Sequence, residues 1–280
     1  VAPDTATTEF RGNDKLLLGI VLAVAAFWLF AMTAGTVAPS ILEDINASGV
    51  EYVDVNAMNF AVSVTALFSG LFIVLMGGIA DKFGRVKISL IGVGLNIVGS
   101  ALLVAASGAL ALPLLITGRA LQGLAAACIM PATMALLKAY WDGEARQRAV
   151  SMWSIGSWGG SGLAAVFGGG VVIALGWRWI FVISIAVSVL AFFLIVGTPE
   201  NRPAAGQKGR FDYLGLVLFV VGTLAVMVIL IFGQQLGWAS PTVLFLLLVT
   251  VVAFFLFFRW ERRQGNPFID LSLFKNTTFT

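Results

Sequence analysis

Residues 77–87 read GGIADKFGRVK, and this stretch decides the fold. Asp81, Lys82, Arg85 and Lys87 fall together here, in a chain of which 11% of residues are charged. The apolar runs on either side, about 58–79 and 88–107, are each long enough to cross a hydrocarbon core of about 30 Å. The stretch therefore reads as a charged turn between two membrane helices, with Gly77 and Gly84 allowing close approach and tight reversal.

The rest of the chain repeats that pattern. Of 280 residues, 59% are hydrophobic and mean hydropathy is +0.98, against about 45–50% apolar and about 25% charged in soluble domains. An all-α membrane protein is expected. Its first helix covers 16–38 and stops near Pro39, which cannot continue a helical ladder. A fourth covers 112–139 with Pro131 as a candidate kink, and a fifth and sixth cover 149–175 and 178–197. Two more cover 213–232 and about 241–259, the last opening on Ser240-Pro241, a serine cap followed by proline at the first helical position. The connection 141–148, WDGEARQR, reads as a turn on Asp142-Gly143. The domain reading is a polar tail (1–15), a six-helix bundle (16–199), a polar linker (200–212), a helix pair (213–260) and a polar segment (261–280).

Charge orients this threading. With the N-terminus in the cytoplasm, every one of the 17 Lys and Arg except Arg119 and Arg178 falls on the cytoplasmic side. The outer connection 40–57 carries Glu43, Asp44, Glu51 and Asp54 and no basic residue, as the positive-inside rule requires.

Arg119 sits about seven positions into its helix, roughly 10 Å below the outer end. A cation at that depth costs at least ~2.5 kcal/mol unless paired or hydrated, so it should face the bundle interior or a water-filled cavity. Gln122 follows three residues on, and Gly123 clears space for a neighbouring helix. One role open to it is a tie to backbone carbonyls of adjacent helices. No acidic residue stands at mid-membrane depth. Gly156, Gly160, Ala164 and Gly168 recur every fourth residue, a small-residue stripe for close helix packing. Trp177, Trp179 and Phe181, beside Arg178, read as an interfacial belt. Cys128 is the single cysteine, so no disulfide forms within the chain, and there is no histidine for an imidazole metal site. Gly168–Gly170 is not followed by lysine and makes no nucleotide cradle. No enzyme constellation, cofactor, metal site or nucleic-acid partner is indicated.

The spacing G-x-x-x-D-K-x-G-R, formed by Gly77, Asp81, Lys82, Gly84 and Arg85, resembles the loop 2–3 signature of the major facilitator superfamily. L-x-x-x-R-x-x-Q-G, at Leu115, Arg119, Gln122 and Gly123, resembles its helix 4 signature. Six spans, a linker and two further spans resemble the start of the fourteen-helix drug:proton antiporter subfamily. Runs such as FWLFA, QGLAAACIMPAT and WSIGSWGGSG look similar to the staphylococcal Nor-type quinolone and multidrug exporters. The resemblance implies a six-helix bundle of three-plus-three inverted repeats with two linker spans, in a bacterial-type plasma membrane. It implies proton-driven export of amphipathic drugs, loop 77–85 as a latch, and Arg119 with Gln122 in proton coupling or substrate binding. Trp28, Met32 and Met130 would join them along the cavity, since methionine and broad aromatic faces suit undiscriminating binding.

Two departures stand out. Met32 and Thr33 occupy the place where many such antiporters carry an acid, and Ala164-Ala165 replaces the Gly-Pro of the antiporter signature. The implied partners are the lipid bilayer, a small amphipathic substrate, protons and a C-terminal half, so the chain is expected to be an incomplete transporter. A transporter of a narrower substrate (a lipid, antibiotic precursor or metabolite) and a non-transporting membrane scaffold or sensor are the alternatives.

Overall fold

The computed structural model describes residues 10–200 and 212–263. Among these, all regular structure is helical, and eight helices are long and apolar enough to cross a membrane: α1 (Asp14–Thr36), α2 (Val55–Phe83), α3 (Arg85–Val104), α4 (Gly108–Tyr140), α5 (Gly143–Leu175), α6 (Arg178–Ile195), α7 (Leu214–Leu236) and α8 (Pro241–Glu261). Two compact units divide the chain, Val1–Pro203 and Ala204–Thr280. The expected tail (1–15), linker (200–212) and terminal segment (261–280) fall largely outside the described residues, as do Arg202, Lys208, Arg210 and Lys275 of the charge map.

Side-chain caps set several helix starts. The first free N–H groups of a helix need acceptors. Asn13 accepts from Leu16 N (2.8 Å), Asp54 from Ala57 N (2.7 Å) and Ser240 from Val243 N (3.3 Å).

Four boundaries differ from the sequence expectation. Pro39 does not end α1; it lies in the first turn of a separate short helix, Ala38–Ile45, where its missing N–H is no loss. Val37 breaks the ladder instead, at φ −98° and ψ 5°. The 77–87 stretch is no extended turn: α2 runs through Phe83 and α3 begins at Arg85, so Gly84 alone reverses the chain, at φ 121°. Gly77 is therefore inside α2, where a Cβ would stand 3.3 Å from Pro131 of α4. The connection 141–148 is helical from Gly143, because α5 starts six residues earlier than its apolar pattern. At the other end of the chain, Glu261 is the last residue of α8 rather than the first of a polar segment.

In the first unit α4 packs along α2 and α3, α1 packs along α5 and α6, and α3 packs along α6. Exchanging α1 with α4, α2 with α5 and α3 with α6 maps this pattern onto itself. Because α1 and α4 are three spans apart, they cross in opposite directions, which makes the two triplets inverted repeats. The two mates α1 and α4 are also the most buried spans.

The core is layered. One apolar cluster gathers Leu16, Ile20, Phe27, Val93, Ile129, Leu136 and Ile195 toward the Gly84 end. A second gathers Phe30, Ile41, Met58, Leu103, Leu115, Ile180 and Phe181 toward the opposite end. Along α3, α4 and α6 the residues between these clusters are polar and buried: Asn96 and Ser100, Arg119 and Gln122, Ser184 and Ser188. In the second unit, α7 and α8 pair through Phe219 against Phe254 and Phe257.

Candidate functional site

The buried polar layer is built around Arg119, which is 3% exposed. Three glycines make the layer possible. A Cβ on Gly123 would meet Thr65 O of α2 at 2.6 Å, and Cβ atoms on Gly99 and Gly118 would each meet the other's carbonyl at 2.8 Å. Backbones that close let short side chains bridge helices. Thr65 Oγ1 donates to Arg119 O (2.9 Å), fixing α2 against α4 at this level.

The guanidinium then reaches three helices. Its Nη1 donates to Ala31 O of α1 (2.9 Å) and to Gln122 Oε1 (2.8 Å), and its Nη2 donates to Val62 O of α2 (3.3 Å). Its Nε is buried with no partner among the described residues. Ala31 closes a π-helical stretch, Ala26–Ala31, and Ile155–Gly159 of α5 is π-helical as well. Such wide turns recur at functional sites.

From Gln122 the layer continues as a chain of hydrogen bonds. Gln122 Nε2 donates to Ser100 Oγ (3.2 Å), Ser100 Oγ to Ser184 Oγ (3.3 Å), and Asn96 Nδ2 to Ser184 Oγ (3.3 Å) and Ser188 Oγ (2.8 Å). Asn96 Oδ1 is buried without a partner among the described residues. This path from α1 and α2 through α4 and α3 to α6 holds Gln122 in one orientation, and Gln122 in turn holds the guanidinium. Asn96, Ser100, Ser184 and Ser188 escaped the sequence reading. Their signal was positional: each is a small polar residue on the buried stripe of an apolar helix, spaced four apart within α3 and within α6.

The other cavity candidates make no hydrogen bond to Arg119 among the described residues. Met130 lies eleven residues along α4, about 16 Å at 1.5 Å per residue, and with the half-buried Met32 belongs to the apolar cluster at the Gly84 end. Trp28 stacks on Trp158 of α5, ring centroids 6.4 Å apart, with its indole N–H buried and unpartnered among the described residues. The α5 stripe faces α1. A Cβ on Gly156 would meet Val21 O at 3.0 Å, and one on Gly160 would meet Leu29 N at 3.3 Å. Ala164 O accepts from Thr33 Oγ1 (3.1 Å), and Gly168 admits the Thr33 side chain.

At the Gly84 turn, Asp81 Oδ1 accepts from Arg85 Nε (2.8 Å), a pair within the turn, while Lys82 lies over the Phe83 ring, 5.7 Å from its centroid. The free N–H groups opening α3 are taken by Glu200, whose carboxylate accepts from Val86 N (2.9 Å) and Lys87 N (3.0 Å). A negative charge is favoured there, and Gly84 leaves room for it. Glu200 was not among the expected site residues, although α3 opens with Gly-Arg-Val and has no capping side chain of its own.

Arg178 clasps the opposite end of the bundle. It donates to Val104 O (3.2 Å), Ala106 O (2.9 Å) and the Asp44 carboxylate, and its guanidinium lies 4.4 Å from the centre of the Trp177 ring. Trp177 Nε1 donates to Asp44 as well (3.0 Å). Partial burial pushes the Asp44 carboxyl up, but the Arg178 and Trp177 hydrogen bonds and the Arg178 charge outweigh it and hold the group below its ordinary value. The expected aromatic belt is corrected here. Trp177 and Phe181 are buried in the core, and of the three only Trp179 is exposed.

The sequence profile of the Major Facilitator Superfamily matches residues 16–261. The quinolone resistance protein NorB of Staphylococcus aureus strain MSSA476 is 49% identical over 271 residues, which cover 97% of this chain and 57% of that protein. The NorB of strain MRSA252 matches equally. The chain thus spans little more than half the length of these relatives. Among solved structures, a POT peptide transporter in complex with sulfate superposes with a TM-score of 0.62 at 16% identity, covering 92% of this chain and 55% of that one. A D-xylose–proton symporter superposes with a TM-score of 0.54 at 15% identity, covering 86% and 65%. At such identities the superpositions speak for the fold.

Proposed function

Because the chain belongs to the Major Facilitator Superfamily, we propose that it works within a proton-driven exporter of amphipathic drugs of the quinolone kind. The observation that carries this reading is 49% identity to quinolone resistance proteins across 97% of the chain. Such an identity reaches the whole bundle rather than one motif. In this reading the protein is a transporter and not an enzyme, and it sits in a bacterial plasma membrane with its N-terminus in the cytoplasm. The nearly complete segregation of Lys and Arg to one side supports that orientation.

Alternating access rocks one bundle against another about a midplane site. The six helices α1–α6 supply one bundle, and its working partner is a second bundle of the complete transporter. Arg119 then orients or couples through a guanidinium held by Gln122. The proton-carrying carboxylate lies outside α1–α6, since the acids of these spans, Asp14, Asp81 and Glu144, stand close to helix ends. The Asp81–Arg85 turn, capped by Glu200, serves as the latch between bundles.

The test is counterflow of labelled norfloxacin in liposomes holding the complete transporter, with and without an imposed pH gradient. Uptake that rises with the gradient and is blocked by a protonophore supports the reading. Gradient-independent behaviour, or counterflow of a metabolite or lipid in its place, would overturn it.

A further inference from the structure

We infer that the Arg259 end of the α7–α8 pair is a binding site for one anionic diacyl phospholipid. The site has two parts, a charged head and an apolar furrow, and they are continuous.

Arg259, Arg262 and Arg263 form the head. Arg259 stands in the last turn of α8 and Arg262 and Arg263 just past its end; all three line one depression, and all three side chains are exposed. Among the described residues none of them takes part in an ion pair. The two described acids at this end are turned elsewhere. Asp212 accepts from Gly215 N (2.9 Å) and from Trp260 Nε1 (2.9 Å), while Glu261 is 3% exposed beside Gly215. Asp212 thus caps the N-terminus of α7, where negative charge is favoured, Glu261 is buried beside it, and among the described residues neither carboxylate forms a salt bridge with the three guanidiniums. Arginine is the residue suited to phosphate, because its planar fork binds two oxygens at once.

The furrow begins between the same guanidiniums. A depression lined by Phe255, Phe258 and the three arginines shares Arg259 and Arg263 with a second, which reaches Leu214 and Leu218. That second depression shares Leu218 and Leu256 with a third, lined only by aliphatic side chains, among them Val221, Val252 and Ala253. From Arg259 to Leu248 at its far end, α8 rises about 16 Å, half of a hydrocarbon core of about 30 Å. The furrow is therefore one leaflet deep. A free phosphate fits the head and leaves the furrow empty. A zwitterionic lipid fits the furrow, but its amine offsets what the arginines gain. An anionic diacyl lipid satisfies both, in keeping with the recognition of such headgroups by basic pockets between membrane helices.

The purified chain in neutral detergent is titrated with dioleoyl-phosphatidylglycerol, dioleoyl-phosphatidylcholine or glycerol phosphate, and bound lipid is read by native mass spectrometry. One phosphatidylglycerol should bind at least about ten-fold more tightly than phosphatidylcholine, as three interfacial arginines give even after screening. Exchanging all three arginines by Arg259→Gln, Arg262→Gln and Arg263→Gln should remove that preference. Val252→Trp, which fills the furrow and leaves the charges, should weaken phosphatidylglycerol by a similar factor and keeps the test decisive should the triple variant fail to fold. Equal retention of the two lipids, a preference that survives the triple exchange, full binding in Val252→Trp, or displacement by glycerol phosphate at equal concentration would each overturn the inference.

Discussion

Arg119→Gln separates a working arginine from a structural tie by magnitude. The substitution removes the bonds to Ala31 on α1 and Val62 on α2 and the bond to Gln122. Hydrogen bonds between membrane helices are worth about 0.6 kcal/mol on average and up to about 1.7, so the two to α1 and α2 amount to about 1–3.5 kcal/mol, and the Gln122 bond within α4 adds about 0.5–1.5 kcal/mol. Against this, a cation at that depth carries a penalty of at least ~2.5 kcal/mol, which glutamine does not. The net loss is then at most about 2.5 kcal/mol, or about 5–10 °C in the melting temperature of a chain this size. Arg119→Lys keeps the penalty and reaches with a single ammonium, so it loses at least one of the two bonds to neighbouring helices. Both variants should remain folded, and in the complete transporter both should lose most of their pH-driven norfloxacin export. Tryptophan fluorescence on heating gives the first quantity and uptake into inverted vesicles the second. If Arg119→Gln lost twice the expected stability, and activity fell in step, the arginine would be a tie. Normal stability together with normal export would refute both roles.

Gly123→Ala should lower stability by about 1–3 kcal/mol, because its Cβ would stand 2.6 Å from Thr65 O, a backbone atom that cannot rotate away. An unchanged melting temperature would contradict that helix contact. Glu200→Gln keeps the shape of the α3 cap but removes a charge worth about 0.3–1 kcal/mol at a helix N-terminus. Amide exchange at Val86 and Lys87 should quicken, and equal protection would show the cap to be idle. For Asp44 the sign follows from its lowered folded-state pKa. Its contribution is present above the unfolded value of about 3.9 and is lost as pH falls through the lower folded value. Wild type and Asp44→Asn should therefore differ in melting temperature at pH 6, and the difference should shrink as the pH falls below the ordinary carboxylate range; a constant difference down to pH 2 would refute the clasp.

Much of the architecture lies in local chemistry, and the sequence alone is enough to read it. Apolar runs of membrane length, the charges packed around Gly84 and the Ser240-Pro241 start each report a nearby physical cause, so the eight spans follow from composition and capping. Arg119 with Gln122 is legible for the same reason, since a cation and an amide one helical turn apart stand out in an apolar run. What the chain order hides is contact at long range. Glu200 meets Val86 and Lys87 across 113 or more positions, and Asp44 meets Arg178 across 134. Nothing local distinguishes these acids from their solvated neighbours. The serines of α3 and α6 look like ordinary small residues until packing buries them beside Gln122. The 141–148 connection misled because polarity ends an apolar pattern without ending a helix, and Pro39 because it opens the short helix after α1 instead of stopping α1. Which helix faces which, and so which carbonyls receive the Arg119 guanidinium, was decided by close packing at Gly99, Gly118 and Gly123. There the absence of a side chain gains its meaning from the neighbouring backbone, and only the tertiary structure supplies that neighbour.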